Sequence, residues 1–166
     1  MFKLLRQLIL IGGIFLVGYL FGLKQVRFYQ ITSSSMEPSL QKNDRIVTVK
    51  PERIERGTIV VLRDPKGGEE ILTKRVIGIP GEKLSVREGY VYINNERLDE
   101  PYIKEPAAYQ LEPLTIPESC YFLLGDNRNN SEDSSIWGPV EKELIVGRVF
   151  CRYWPLKKFG FFFQQK

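Results

Sequence analysis

Hydrophobic positions in this chain fall into two regimes. From Leu8 to Leu23 the run LILIGGIFLVGYLFGL holds sixteen residues without a charge. It is apolar on every side, so it lacks the polar stripe that a core helix would turn to solvent. A helix of that length falls short of a hydrocarbon core of about 30 Å. Leu4 and Leu5 extend it if Arg6 snorkels to the interface, which predicts a span of about residues 4–23 inside an anchor segment 1–27. From Phe28 onward the pattern changes to short runs of alternating or continuous β-branched residues: 45–50, 58–63, 71–80, 83–87, 90–94, 120–124 and 145–154. Turn signals divide them, among them PKGG at 65–68 and Glu88-Gly89, the latter a predicted hairpin. No stretch beyond residue 30 keeps a helical period for three turns. The reading is a mostly-β antiparallel domain over 28–166, a curled sheet or partial barrel. Residues 99–118, rich in Pro, Glu and Tyr, are expected to form a surface excursion.

A basic start followed by an apolar stretch also describes a cleaved leader. No alanine occurs before Ala107, so no A-x-A site follows the stretch, and an uncleaved signal anchor is the expectation. Lys3 and Arg6 precede the apolar run, and Lys24 and Arg27 follow it. Counting the terminal amine, the bias favours an N-terminus on the cytoplasmic side, with residues 28–166 on the far side of the membrane.

Composition sharpens the picture in three places. The formal net charge is +4 and the sequence pI about 9.0, a balance suited to anionic lipid. No run of five basic residues occurs, and no nucleic-acid partner is expected. The chain has no histidine, which excludes a Ser-His-Asp triad, a Cys-His pair and a histidine-based zinc site. Any nucleophilic catalysis then needs another base, and lysine is the obvious one. Cys120 and Cys151 fit no metal or redox spacing; buried thiols and a disulfide both stay open.

Three polar stretches carry candidate chemistry. Ser33-Ser34-Ser35-Met36-Glu37-Pro38 follows the anchor and permits a tight turn exposing one hydroxyl; a linker is the plain alternative. Lys74 sits in an apolar run with Ile71, Leu72, Val76 and Ile77 around it. A lysine pointing to water would be ordinary, whereas burial would lower its pKa. At an ordinary pKa of about 10.4 only about one lysine in 2,500 is neutral at pH 7, whereas at about 8 roughly one in ten is. Gly125 to Pro139 is dense in Asn, Asp, Ser and Arg. It fails the EF-hand pattern, since Arg128 takes the third ligand position and Ser131 the glycine position. Either a plain loop or a hydrogen-bonded scaffold fits it.

Taken in order, these stretches resemble the type I signal peptidases. Ser35-Met36-Glu37-Pro38 matches the nucleophile box, and Asn43-Asp44-Arg45-Ile46-Val47 the strand box after it. Lys74-Arg75-Val76-Ile77-Gly78 with Pro80-Gly81 matches the lysine box. Gly125-Asp126-Asn127-Arg128 through Ser131, Asp133-Ser134 and Trp137-Gly138 matches the last. The resemblance implies a membrane-bound serine endopeptidase with Ser35 as nucleophile, Lys74 as general base and Ser33 at the oxyanion. It implies that Ser131 orients Lys74, that Asp126 pairs with Arg75, and that Asp133 braces the last loop. Two positions depart from the common pattern. Ser34 replaces a glycine. Ser135 replaces an arginine, leaving Asp133 to Arg128 or to hydrogen bonds alone.

The resemblance implies no metal or organic cofactor. Its substrates would be signal peptides of exported preproteins, cut after small residues at the first and third positions before the bond. The location would be a bacterial-type cell membrane or a thylakoid, and the oligomeric state a monomer. Ile31, Met36, Ile71 and Leu72 are candidate pocket residues, with ordinary core the equal alternative. Trp154, Phe159, Phe161, Phe162 and Phe163 beside Lys157 and Lys158 suit a membrane interface or packing on the sheet. The rival readings are a Ser-Lys peptidase with narrow substrates and a non-enzymatic β module tethered at the membrane.

Overall fold

The computed structural model describes residues 2–24 and 26–162 and, within the first helix, the side chains of residues 3, 6, 7, 9–19 and 22. That helix, α1 (Phe2–Lys24), carries the apolar run. Its side chains Ile9, Ile14, Phe15 and Leu16 are exposed. Counted over the described residues alone, no helix is long and apolar enough to cross a membrane. The side chains of Leu4, Leu5, Leu8, Leu23 and Lys24, and all of Phe163, lie outside the described residues.

The rest is β-structure. A large antiparallel sheet contains β1 (Arg27–Gln30), β2 (Arg45–Val49), β3 (Ile59–Arg63), β4 (Ile71–Gly78), β9 (Cys120–Leu124), β10 (Val140–Glu141), β11 (Ile145–Trp154) and β12 (Gly160–Phe161). Its order is β1-β2-β11-β3-β4-β9-β10, with β12 paired to β11. A smaller sheet, β7-β6-β5-β8, is built from β5 (Lys83–Arg87), β6 (Tyr90–Ile93), β7 (Glu96–Arg97) and β8 (Leu111–Thr115). The β5–β6 turn uses Glu88 at φ 51° and Gly89 at φ 83°, the doubly left-handed geometry of a tight hairpin.

The period-two rule explains the core. On β3, Val60 and Leu62 enter one buried cluster with Val76, Tyr121, Leu123 and Ile145, while Ile59 and Val61 enter another with Ile31, Met36, Leu40 and Ile46. Both faces are covered, and so the strand reads as a continuous apolar run. A third cluster joins Ile77, Phe122 and Leu124 of the large sheet to Leu84, Val86, Val91 and Ile93 of the small one.

Residues 99–118 are not a simple surface excursion. Leu111–Thr115 forms β8 against β5, and Glu100, Ala107 and Ile116 are buried. Pro113 and exposed glutamate mask the strand pattern, which survives because β8 is an edge strand. The 134–137 turn is the only α-helical element described after α1: α2 (Ser134–Trp137). Cys120 and Cys151 are free thiols on β9 and β11, which are not neighbours in the sheet.

The large sheet curls. Strands β1 and β4 stand four places apart in its order, yet residues of β1 (Tyr29, Gln30) and of β4 (Ile71 to Lys74) line one cavity of about 500 Å³. Two strand edges therefore face each other across a slot, and the site sits at that slot.

Candidate active site

Ser35 lies in the turn that leaves β1. The chain reverses there through hydrogen bonds from Glu37 N to Ser34 O and from Leu40 N to Met36 O, and Met36 and Leu40 anchor it in the core. Ser35 itself is buried, with its Oγ 3.1 Å from Ser33 Oγ. Lys74 comes from the middle of β4, opposite Val60 on β3. It is 3% exposed, and among the described residues it is the only buried lysine. Lys74 Nζ donates to Ser131 Oγ at 3.1 Å. Burial lowers its pKa to about 8, working against the nearby carboxylates of Asp133 and Glu132, which raise it.

Ser33, Ser35 and Lys74 line both the slot cavity and an adjoining one of about 450 Å³ that also takes in Ser131. Ser35 and Lys74 face this shared space without a direct hydrogen bond to each other; in general, catalytic hydrogen bonds are often long until substrate tightens them. Ile31, Met36, Ile71 and Leu72 line the slot.

The loop 125–133 locks the turn that carries Ser35. Asn127 N donates to Ser35 O at 3.0 Å, and Asn127 Nδ2 to Ser34 O at 3.2 Å. Asn130 Nδ2 donates to Ser34 Oγ at 3.0 Å, so the serine that departs from the family glycine has a structural partner. Gly125 makes this approach possible. A Cβ there would fall 2.5 Å from Ser35 O and closer still to Ser131 Oγ. We expect Gly125→Ala to lower kcat/KM about a hundredfold through sub-ångström displacement of both serines, with the melting transition still cooperative. Steady-state rates beside a thermal melt check this, and unchanged kcat/KM would refute it.

Charged groups brace the loop from below. Arg75 grips Asp126 with two bonds, 2.8 Å from Nε and 2.6 Å from Nη2. It also reaches Gly57 O at 2.8 Å and Ser39 Oγ at 3.0 Å, and stacks on the Tyr102 ring at 3.9 Å. One guanidinium thus joins β4, the turn that carries Ser35 and the last loop. Asp133 does not pair with Arg128. It accepts from Gly125 N at 2.9 Å and from Ser135 N and Oγ at 3.0 and 2.8 Å, capping α2. Ser135 is short enough to close this bond locally, so no arginine is needed there. Arg128 instead pairs with Glu100 at 2.5 and 3.0 Å, both buried, and donates from Nε to Gly125 O at 3.0 Å.

Sequence reasoning assigned no role to Glu100, Tyr102, Asn127, Asn130 or Ser134. The last holds Leu123 N of β9 through its Oγ at 3.0 Å. Glu100 and Tyr102 lay in the segment read as an excursion. Only Asn127, Asn130 and Ser134 carried a signal, as part of a loop unusually dense in hydrogen-bonding side chains.

Comparison with known proteins identifies the family. The family model described as signal peptidase, peptidase S26, matches residues 1–154. A probable signal peptidase I-2 of Synechocystis is 46% identical over 78% of this chain and 64% of its own length. A signal peptidase IB of Staphylococcus aureus is 32% identical over 97% of this chain and 95% of its own. A chloroplastic thylakoidal processing peptidase of Arabidopsis thaliana is 36% identical, matched over 77% of this chain but only 42% of that protein. The crystal structure of a signal peptidase I from Enterococcus faecalis superposes with a TM-score of 0.53 at 31% identity, covering 58% of this chain and 97% of that one.

Proposed function

The chain belongs to the signal peptidase family, peptidase S26, and from that premise we propose that it is a membrane-anchored serine endopeptidase removing signal peptides from exported preproteins. The observation that carries this reading is Lys74: the one buried lysine among the described residues, tuned toward neutrality, held by Ser131 beside the cavity that Ser35 lines.

In the proposed mechanism neutral Lys74 takes the Ser35 proton as Ser35 Oγ attacks the scissile carbonyl. The bond to Ser131 uses one amine hydrogen and leaves the Nζ lone pair free. The Ser33 hydroxyl, with the Ser35 backbone N–H, donates to the oxyanion. Lys74 then protonates the leaving amine and later activates the water that releases the acyl-enzyme. Arg75, Asp126 and Asp133 act at one remove, by holding the turn and loop.

The substrate adds a strand in the slot. Residues 71–74 of β4 pair only with β3, because β9 joins β4 from Arg75 onward, so their other edge is open to a peptide. Ile31, Met36 and Leu72 supply apolar walls for the small side chains before the bond. Support for the anchor comes from α1. Its 23 residues reach about 34 Å, enough for the hydrocarbon layer, and its described apolar side chains are exposed. Trp154, Leu156, Phe159 and Phe161 extend the apolar exposure onto the sheet domain, while Phe162 packs on the core and takes no part. The orientation is N-terminus cytoplasmic, with the sheet domain on the far side; the enzyme acts as a monomer and binds no nucleic acid.

The test is cleavage of a preprotein bearing an A-x-A site, by the full chain in detergent, across pH. Cleavage at that bond is expected, with kcat/KM rising as pH climbs through about 8 because the base must lose its proton. A rate flat from pH 6 to 9 would rule out Lys74 as the base. A folded chain that cleaves none of several preproteins would favour the narrow-substrate or non-enzymatic reading.

A further inference from the structure

A second basic feature lies away from Ser35 and Lys74. Arg27 opens β1, Lys50 follows β2, Arg63 closes β3, and Lys142 sits in the single 3-10 turn before β11. The registers Arg27↔Thr48, Arg148↔Val49 and Ile145↔Leu62 bring these strand ends to one margin of the sheet. There the four cations line a cavity of about 460 Å³ floored by Pro51, Ile54 and Ile145. Glu143 is the one acid in the lining, and none of the four cations makes an ion pair among the described residues. Elsewhere the buried arginines Arg75 and Arg128 each find a carboxylate. Four unpaired cations around one concavity repel each other, a cost that an anion removes.

Position says which anion. Arg27 is three residues past Lys24, the last residue of α1, so the chain leaves the cavity no more than about 11 Å from the helix end. A site tied this closely to an anchor lies at headgroup depth. We propose that this cavity binds the phosphodiester headgroup of an anionic membrane lipid, fixing the height and tilt of the sheet domain over the bilayer. The proposal rests on α1 being the anchor. Each cation near an anionic surface adds attraction of its own, and a concave set of four adds selectivity for a phosphate over a zwitterion.

The experiment uses the full chain in mixed micelles of phosphatidylcholine and phosphatidylglycerol, with retained lipid read by native mass spectrometry. Wild type is expected to keep one phosphatidylglycerol, and Arg63→Gln/Lys142→Gln to lose it by about tenfold or more. Lys83→Gln/Arg97→Gln, the same charge change on the small sheet, is expected to keep it. Equal retention by Arg63→Gln/Lys142→Gln, equal loss in the small-sheet variant, or equal retention of phosphatidylcholine would overturn the site. Displacement by millimolar inorganic phosphate would make it a free-phosphate site and overturn the lipid assignment. Alkaline extraction of cell membranes separates this from the anchor. Wild type and Arg63→Gln/Lys142→Gln should both stay in the pellet, and release of wild type would sink the anchor reading itself.

Discussion

Replacing Lys74 by methionine is expected to abolish cleavage while making the folded chain more stable. Loss of the base should cost at least about 10⁴-fold in kcat, as for other residues that act as one unit with a nucleophile. The stability gain follows from burial. In the unfolded chain the lysine titrates at its ordinary value of 10.5, and in the folded chain at about 8. Below pH 8 both states carry the ammonium, and the folded state bears the whole cost of burying it. Between 8 and 10.5 the unfolded state binds more protons, so stability rises with pH; above that window the penalty is gone. Methionine fills the same volume without charge. It should therefore gain about 1–3 kcal/mol below pH 8, less the lost bond to Ser131, and the gain should shrink toward pH 10.5. Melting temperatures of wild type and Lys74→Met, measured from pH 6 to 10, decide it. A lower melting point for the variant at pH 7 would mean that Lys74 is not strained by burial. Ser35→Ala should match the loss of activity without the rise in stability.

The largest loss of stability is expected from Glu100→Ala. Arg128 and Glu100 are 2% and 9% exposed, and removing the carboxylate would strand a guanidinium in the interior. Breaking such a pair costs about 3–5 kcal/mol, which for a chain of this size lowers the melting temperature by about 10 °C. Tyr102 would lose its 3.0 Å bond to Glu100 as well. Because Arg128 also holds Gly125 O, activity should fall before the global melt. Glu100→Ala/Arg128→Met should recover much of the melting temperature, since an apolar pair replaces an unpaired charge. If Glu100→Ala melted within a degree or two of wild type, the pair would be a bystander.

What the sequence disclosed, and what it hid, divides along physical lines. Strands with both faces covered, such as β3 and β9, announce themselves as apolar runs. The dyad candidates were legible because the absence of histidine left few bases, and because Lys74 interrupts an apolar strand. Edge strand β8 was hidden because one proline and its exposed positions erase the alternation. Glu100 was hidden for a different reason. A buried acid in a polar segment looks like any surface glutamate until the arginine 28 residues away is brought to it. The partner of Asp133 was half legible: of the two options the sequence left open, Arg128 or hydrogen bonds alone, the second holds. Its bond to Ser135 is local, yet the resemblance directed attention to a missing arginine.

The slot between β1 and β4 has a consequence for which proteins are spared. A polypeptide can satisfy two facing strand edges only if its own amide and carbonyl groups are free along several consecutive residues. A helix has none to offer, and a strand already seated in a sheet has only its outer edge. The surface loops of a finished protein are too tightly curved to lie straight across four residues of β4. Small side chains before a peptide bond are common in any proteome, and alone they would be a poor safeguard. The slot adds a test of conformation ahead of the test of side chains: it interrogates whether a segment has yet committed its backbone to a fold. Under the proposed function, the stretch behind a signal sequence, newly emerged and unpaired, would pass; the same residues in a folded domain would not.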